Sequence, residues 1–97
     1  MSTPLEVAID HPTRKRAVRL LVGRGSMTSS EVAEHLGLPL PSTTHHLKVL
    51  VAVDVFSVAV REKRERVYTE NLDECPPWVR EAIEASDESG ETGEVGA

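Results

Sequence analysis

Ser42, Thr44, His45 and Lys48 stand close together in the run Leu36-Gly37-Leu38-Pro39-Leu40-Pro41-Ser42-Thr43-Thr44-His45-His46-Leu47-Lys48-Val49-Leu50. Their types suit recognition more than bond-making. Hydroxyls and an imidazole can donate to or accept from base edges, and a lysine can reach a backbone phosphate. At ~100° per residue, Thr43, Leu47, Leu50 and Val51 share one side of a helix and must be buried. Ser42, His45 and Lys48 fall on or beside the opposite side. Thr44 lies on one border and His46 on the other, nearer the core than His45. A helix with small polar groups in its first half is the form that enters a DNA major groove. The bland alternative is that Ser42 and Thr44 only cap and fill the helix. For His46, a packed helix-edge role is at least as good as a contact. No arginine or asparagine stands ready to read guanine or adenine, so no base sequence can be named.

Two clusters of bases accompany this run. Arg61, Lys63, Arg64 and Arg66 interleave with Glu62 and Glu65, and Arg14, Lys15, Arg16 and Arg19 stand near the start. Lys63 and Arg64 at a turn suit phosphate or minor-groove contact. Arg61 and Arg66 are expected in cross-strand ion pairs. The first cluster is expected as a solvated helix face, with an ion pair for Arg14. Catalytic arrangements are missing: there is no Ser-His-Asp or Cys-His set and no phosphate-cradling glycine loop. His35, His45, His46 and Cys75 lack metal-ligand spacing, so neither metal nor cofactor is expected. Cys75 reads as a linker thiol, with a redox switch as its sharper alternative.

The elements that must position these groups follow from capping and periodicity. Met1 to Ile9 reads as a leader, frayed or partly helical. Asp10-His11-Pro12 opens a helix that should stop before Gly23 and Gly25. Thr28-Ser29-Ser30-Glu31 fits a capping box, and Gly37 ends the short helix that follows. The next helix should run from about Leu40 to Ala52, its prolines tolerated around the first turn. Asp54 marks a turn where a left-handed residue is needed. Val55 to Arg61 and Arg66 to Thr69 read as two strands joined by the charged turn Glu62 to Glu65. Pro76-Pro77 opens a last helix with Trp78, Val79, Ala82 and Ile83 on one side. That stripe either covers its own domain or pairs with a second chain. The order predicts a mainly α fold with a β-hairpin wing, a winged helix-turn-helix.

Composition sets the frame. The 97 residues carry 11 Lys+Arg against 16 Asp+Glu, a formal net charge of −5. Most of that charge sits in Asp87, Glu88, Glu91 and Glu94, within a Gly- and Ser-rich tail over 86–97 that should be disordered. The domain is expected over 10–85 and the leader over 1–9. No apolar run approaches the ~20 residues of a membrane span, and no signal-peptide pattern opens the chain. A cytoplasmic location is the simplest reading. One cysteine allows no intrachain disulfide framework.

The chain resembles the ArsR-type family of winged helix-turn-helix transcriptional regulators. The resemblance rests on Asp10-His11-Pro12-Thr13-Arg14, Thr28 to Leu38, Ser42 to Leu50 and Arg61 to Tyr68, and it covers about Asp10 to Leu72. It implies a homodimeric repressor on a near-palindromic double-stranded DNA operator. Ser42, Thr44 and His45 would face bases, while Lys48, Lys63 and Arg64 would hold the backbone. The first helix and the stripe Trp78, Val79, Ala82 and Ile83 would form the dimer interface. Three departures stand out. Val53-Asp54-Val55 replaces the family's Ala-Gly-Leu, and Lys63 replaces the wing glycine. The cysteines or Asp/His pairs of the metal sensors are missing, so the effector stays unknown. A winged helix serving protein partners, as an interaction module or accessory subunit, is the alternative reading.

Overall fold

The computed structural model describes residues 3–84. The expected tail over 86–97 lies outside the described residues. Helix α1 (Pro4–Ile9) is closed by a capping box in which Thr3 and Glu6 exchange hydrogen bonds. Of the two alternatives for this segment, frayed or partly helical, it takes the helical one, and Ala8 and Ile9 are buried against the rest of the fold. Helix α2 (Pro12–Arg24) starts at His11, whose Nδ1 accepts the Thr13 amide at 3.2 Å. It runs through Gly23 and stops only at Gly25, which has φ 92°. The expected stop before Gly23 is therefore two residues early. Glycine lowers helix propensity by only ~1 kcal/mol, and burial of Ala17, Val18 and Leu21 outweighs it.

Strand β1 (Ser26–Thr28) had no counterpart in the sequence reading. Three residues are too few to show an alternating pattern. Helix α3 (Ser29–Leu36) carries the expected box between Thr28 and Glu31, and Gly37 closes it at φ 68°. The Leu38 amide reaches back to the Ala33 carbonyl at 3.1 Å. Helix α4 (Leu40–Ala52) has the expected bounds. Asp54 takes φ 65°, the left-handed turn expected of it, before strands β2 (Phe56–Val60) and β3 (Arg66–Glu70).

The hairpin is part of a three-stranded antiparallel sheet in the order β1-β3-β2. Met27 and Val58 flank Tyr68 from its two sides. A last helix, α5, covers residues 77–84. The core joins α2, α3, α4 and the sheet through Val18, Leu21, Val32, Leu47, Leu50 and Phe56. Each such side chain contributes ~1.5–3 kcal/mol by leaving water. The result is the winged helix-turn-helix expected from the sequence, with β1 added.

Val79 and Ile83 of α5 belong to that core, fully or almost fully buried within this one chain. Ala82 packs partly against it. Of the four stripe residues, Trp78 alone keeps large surface, at 38 % exposed. The stripe therefore covers its own domain first, and little of it remains for a partner.

Candidate nucleic-acid interface

Helices α3 and α4 form the helix-turn-helix, and the core fixes how α4 is rotated. Thr43, Leu47 and Leu50 are buried, which turns Ser42, His45 and Lys48 outward into solvent. Thr44 is half-buried on the border. Thr43 carries a buried hydroxyl oxygen with no hydrogen-bond partner among the described residues. Its methyl group packs in place of a valine, at the cost of that oxygen's lost hydration.

His46 takes the opposite border and a different role. Its Nδ1 lies 3.4 Å from the Arg14 Nη1, and its ring centroid is 4.7 Å from that of His11. Arg14 in turn donates from Nε to the Ala8 carbonyl at 2.6 Å. One guanidinium thus ties α1, the start of α2 and α4 together. Burial, then the neighbouring His11, Arg14 and His45, hold the His46 imidazole below its ordinary value of 6.5. Burial and Arg14 lower His11 as well, against a small upward pull from Asp10. The ion pair expected of Arg14 is replaced by a carbonyl and an imidazole. The sequence could not show this, because Arg14 and His46 are 32 residues apart.

The wing presents Arg61, Lys63, Arg64 and Arg66, all exposed. Lys63 and Arg64 both take positive φ, 62° and 63°, at the tip. Two successive left-handed residues are what a tight hairpin of this hand requires, and neither is glycine. The strain is about 1 kcal/mol or more at each. The ion pairs expected for Arg61 and Arg66 do not form among the described residues, where Arg80 with Asp73 at 3.6 Å is an exposed pair elsewhere. The wing cations are free for an anion.

Cys75 is half-buried beyond the sheet, its thiol 3.6 Å from the carbonyl oxygens of Asp54 and Asn71. Burial, then Asp54, Glu70 and Glu74, push its pKa up. Less thiolate means a slower nucleophile, which weighs against a redox switch. Among the described residues, no three His, Cys, Asp or Glu side chains gather as a metal would need. No helix there is long and apolar enough to cross a membrane.

Comparison with known proteins agrees with this geometry. A family model described as "Helix-turn-helix domain" matches residues 9–57. The transcriptional repressor SdpR of Bacillus subtilis (strain 168) is 44% identical over 50 residues, covering 52% of this chain and 54% of that protein. The chain thus spans about half the length of the curated relative it matches. The YusO protein from Bacillus subtilis superposes with a TM-score of 0.71 at 16% identity, over 96% of this chain and 66% of its own. At that identity it speaks to the fold alone. An ArsR family transcriptional regulator superposes with a TM-score of 0.63 at 26% identity, over 94% of this chain and 88% of its own.

Proposed function

We propose, starting from the fact that this chain belongs to the helix-turn-helix domain family in its winged, ArsR-type form, that it is a sequence-specific double-stranded DNA-binding repressor of transcription. The observation that carries the reading is the two-faced α4. Its aliphatic side is core, and Ser42, His45 and Lys48 stand free beside an unpaired basic wing. In this reading Ser42, Thr44 and His45 contact base edges, Lys48 meets a phosphate, and Lys63 and Arg64 follow the backbone. The relative SdpR, a repressor, supports the direction of regulation. The protein works without catalysis, in the cytoplasm where its operator is.

The functional unit is a homodimer. Val7 on the outer side of α1 is 57 % exposed, and Trp78 stands over the same region beside Leu5, Ala52 and Val53. Trp78 with Ala82 and α1 supplies the contact, while Val79 and Ile83 support it from within. Two copies then place their α4 helices ~34 Å apart, about one turn of duplex.

Selection of bound duplexes from a random pool tests the reading. The expected result is an inverted repeat with half-sites about 10 base pairs apart. Failure to enrich any sequence, with weak and salt-insensitive retention on heparin, would instead favour a winged helix that serves a protein partner.

A further inference from the structure

Helix α2 carries the cations Arg14, Lys15, Arg16, Arg19 and Arg24 and no carboxylate. Arg14 is committed to the joint with Ala8 and His46. Lys15 and Arg16 stand one turn before Arg19, on the same outer side of the helix. Arg16 is exposed, and Lys15 and Arg19 are half-buried. Among the described residues, Lys15 and Arg16 have no carboxylate partner. Like charges at that spacing repel, and the first turn of a helix favours anions over cations. Both effects call for a counter-charge on this side of α2.

The chain itself supplies one close by. Helix α5 covers 77–84, and the Arg19 Nη1 donates to the Ile83 carbonyl at 3.1 Å. The end of α5 is thus pinned to the middle of the basic side. Residues 85–97 follow, outside the described residues, with Asp87, Glu88, Glu91 and Glu94 and no cation. At ~3.3–3.6 Å per residue, the steps from Ile83 to Asp87 span up to ~14 Å. Lys15 is one turn from Arg19, ~6 Å along the helix axis. The acids therefore have chain to spare in meeting the cations. So short a tether also gives them an effective concentration of order millimolar, well above that of a second copy in dilute solution.

We infer that the acidic segment 87–94 lies against the basic side of α2, over Lys15, Arg16 and Arg19, and keeps duplex DNA off it. The contact stands on charge and tether. Its consequence rests on the duplex-binding reading above and goes beyond it. Phosphate attraction takes no account of sequence, so a bare α2 would hold any duplex in an orientation that leaves α4 unused. A tethered polyanion on that side lowers such binding and leaves α4 and the wing to the operator.

The contact is tested in the full chain by paramagnetic broadening. A nitroxide on Ser89→Cys, in a Cys75→Ser background, should broaden the Lys15, Arg16 and Arg19 amides at about 50 mM KCl and release them at about 500 mM. Broadening led by the wing or α4, or none at all, overturns the inference. So does broadening seen only between a labelled chain and an unlabelled copy, which would give this side of α2 to a second molecule. The consequence is read with a fluorescein-labelled, mixed-sequence duplex of about 30 base pairs at about 50 mM KCl. Replacing the acids together, Asp87→Asn with Glu88→Gln, Glu91→Gln and Glu94→Gln, should tighten binding about fivefold and steepen the salt slope by ~0.9 for each cation uncovered. Lys15→Gln with Arg16→Gln should leave the wild-type affinity unchanged but cancel most of that gain in the neutralised chain. A gain that survives this pair would come from net charge alone and overturn the masking. Failure of every variant to bind duplex would sink the functional reading, with the nitroxide result still deciding the contact.

Discussion

The chain has two clusters of four bases, Arg14-Lys15-Arg16 with Arg19 on α2, and Arg61 with Lys63, Arg64 and Arg66 on the wing. On paper they are equivalent. In the fold they differ in what their charges touch. Arg14 donates to the Ala8 carbonyl and faces His46, and Arg19 donates to the Ile83 carbonyl at 3.1 Å. These two guanidinium groups hold α1, α4 and α5 against α2. The wing bases touch no carboxylate among the described residues and sit on a tip strained by two left-handed residues. One cluster stabilises the fold, and the other weakens it while keeping its charge exposed. Clustered charge in a sequence therefore does not identify a nucleic-acid surface until its partners are known.

The largest expected effect separates the two by stability. Arg14→Ala removes a charge-assisted hydrogen bond and leaves a carbonyl and an imidazole facing each other across a gap. It should cost about 2 kcal/mol in urea unfolding, with the salt slope of DNA binding untouched. A flattened slope would move α2 into the interface and end the contrast. Next comes the wing. Lys63→Ala with Arg64→Ala should weaken duplex binding about tenfold, roughly 1.4 kcal/mol, with thermal stability equal to or above wild type. A loss of stability instead would make the wing a structural element like α2.

Lys63→Gly sharpens the point with opposite signs in one variant. Glycine adopts positive φ without a Cβ clash, so the midpoint of unfolding should rise by the equivalent of about 0.5 kcal/mol. Duplex affinity should fall at the same time, because one cation is gone. The smallest effect is a shallow pH dependence on the α2 side. Burial above all lowers the pKa of His11 and His46 in the fold, below the 6.5 they would show in an unfolded chain. The unfolded state therefore binds more protons as pH falls through 6.5. Stability present above that value should decline below it. His46→Gln should flatten this decline, and a decline unaltered by that change would remove His46 from the joint.

The features legible in the sequence were local ones. The capping box at Thr28, the left-handed Gly37 and Asp54, and the bounds of α4 each follow from a few neighbouring residues. The rotation of α4 was legible too, since periodicity alone separates Leu47 from Lys48. What stayed hidden depends on distance along the chain. Ser26 to Thr28 becomes a strand only because β3 offers an edge to it. The stripe of α5 declares that Val79 and Ile83 are buried, but not whether by this chain or another. The joint of Arg14 with Ala8 and His46 arises only when α1, α2 and α4 meet.

The central claim is that the exposed side of α4 and the wing touch DNA while the basic face of α2 does not. Amide chemical-shift mapping during titration with an enriched operator duplex tests it most directly. The account predicts the largest shifts at Ser42 to Lys48 and Arg61 to Arg66, with Lys15, Arg16 and Arg19 nearly unmoved. Shifts led by the α2 cluster, with α4 and the wing unchanged, would contradict it.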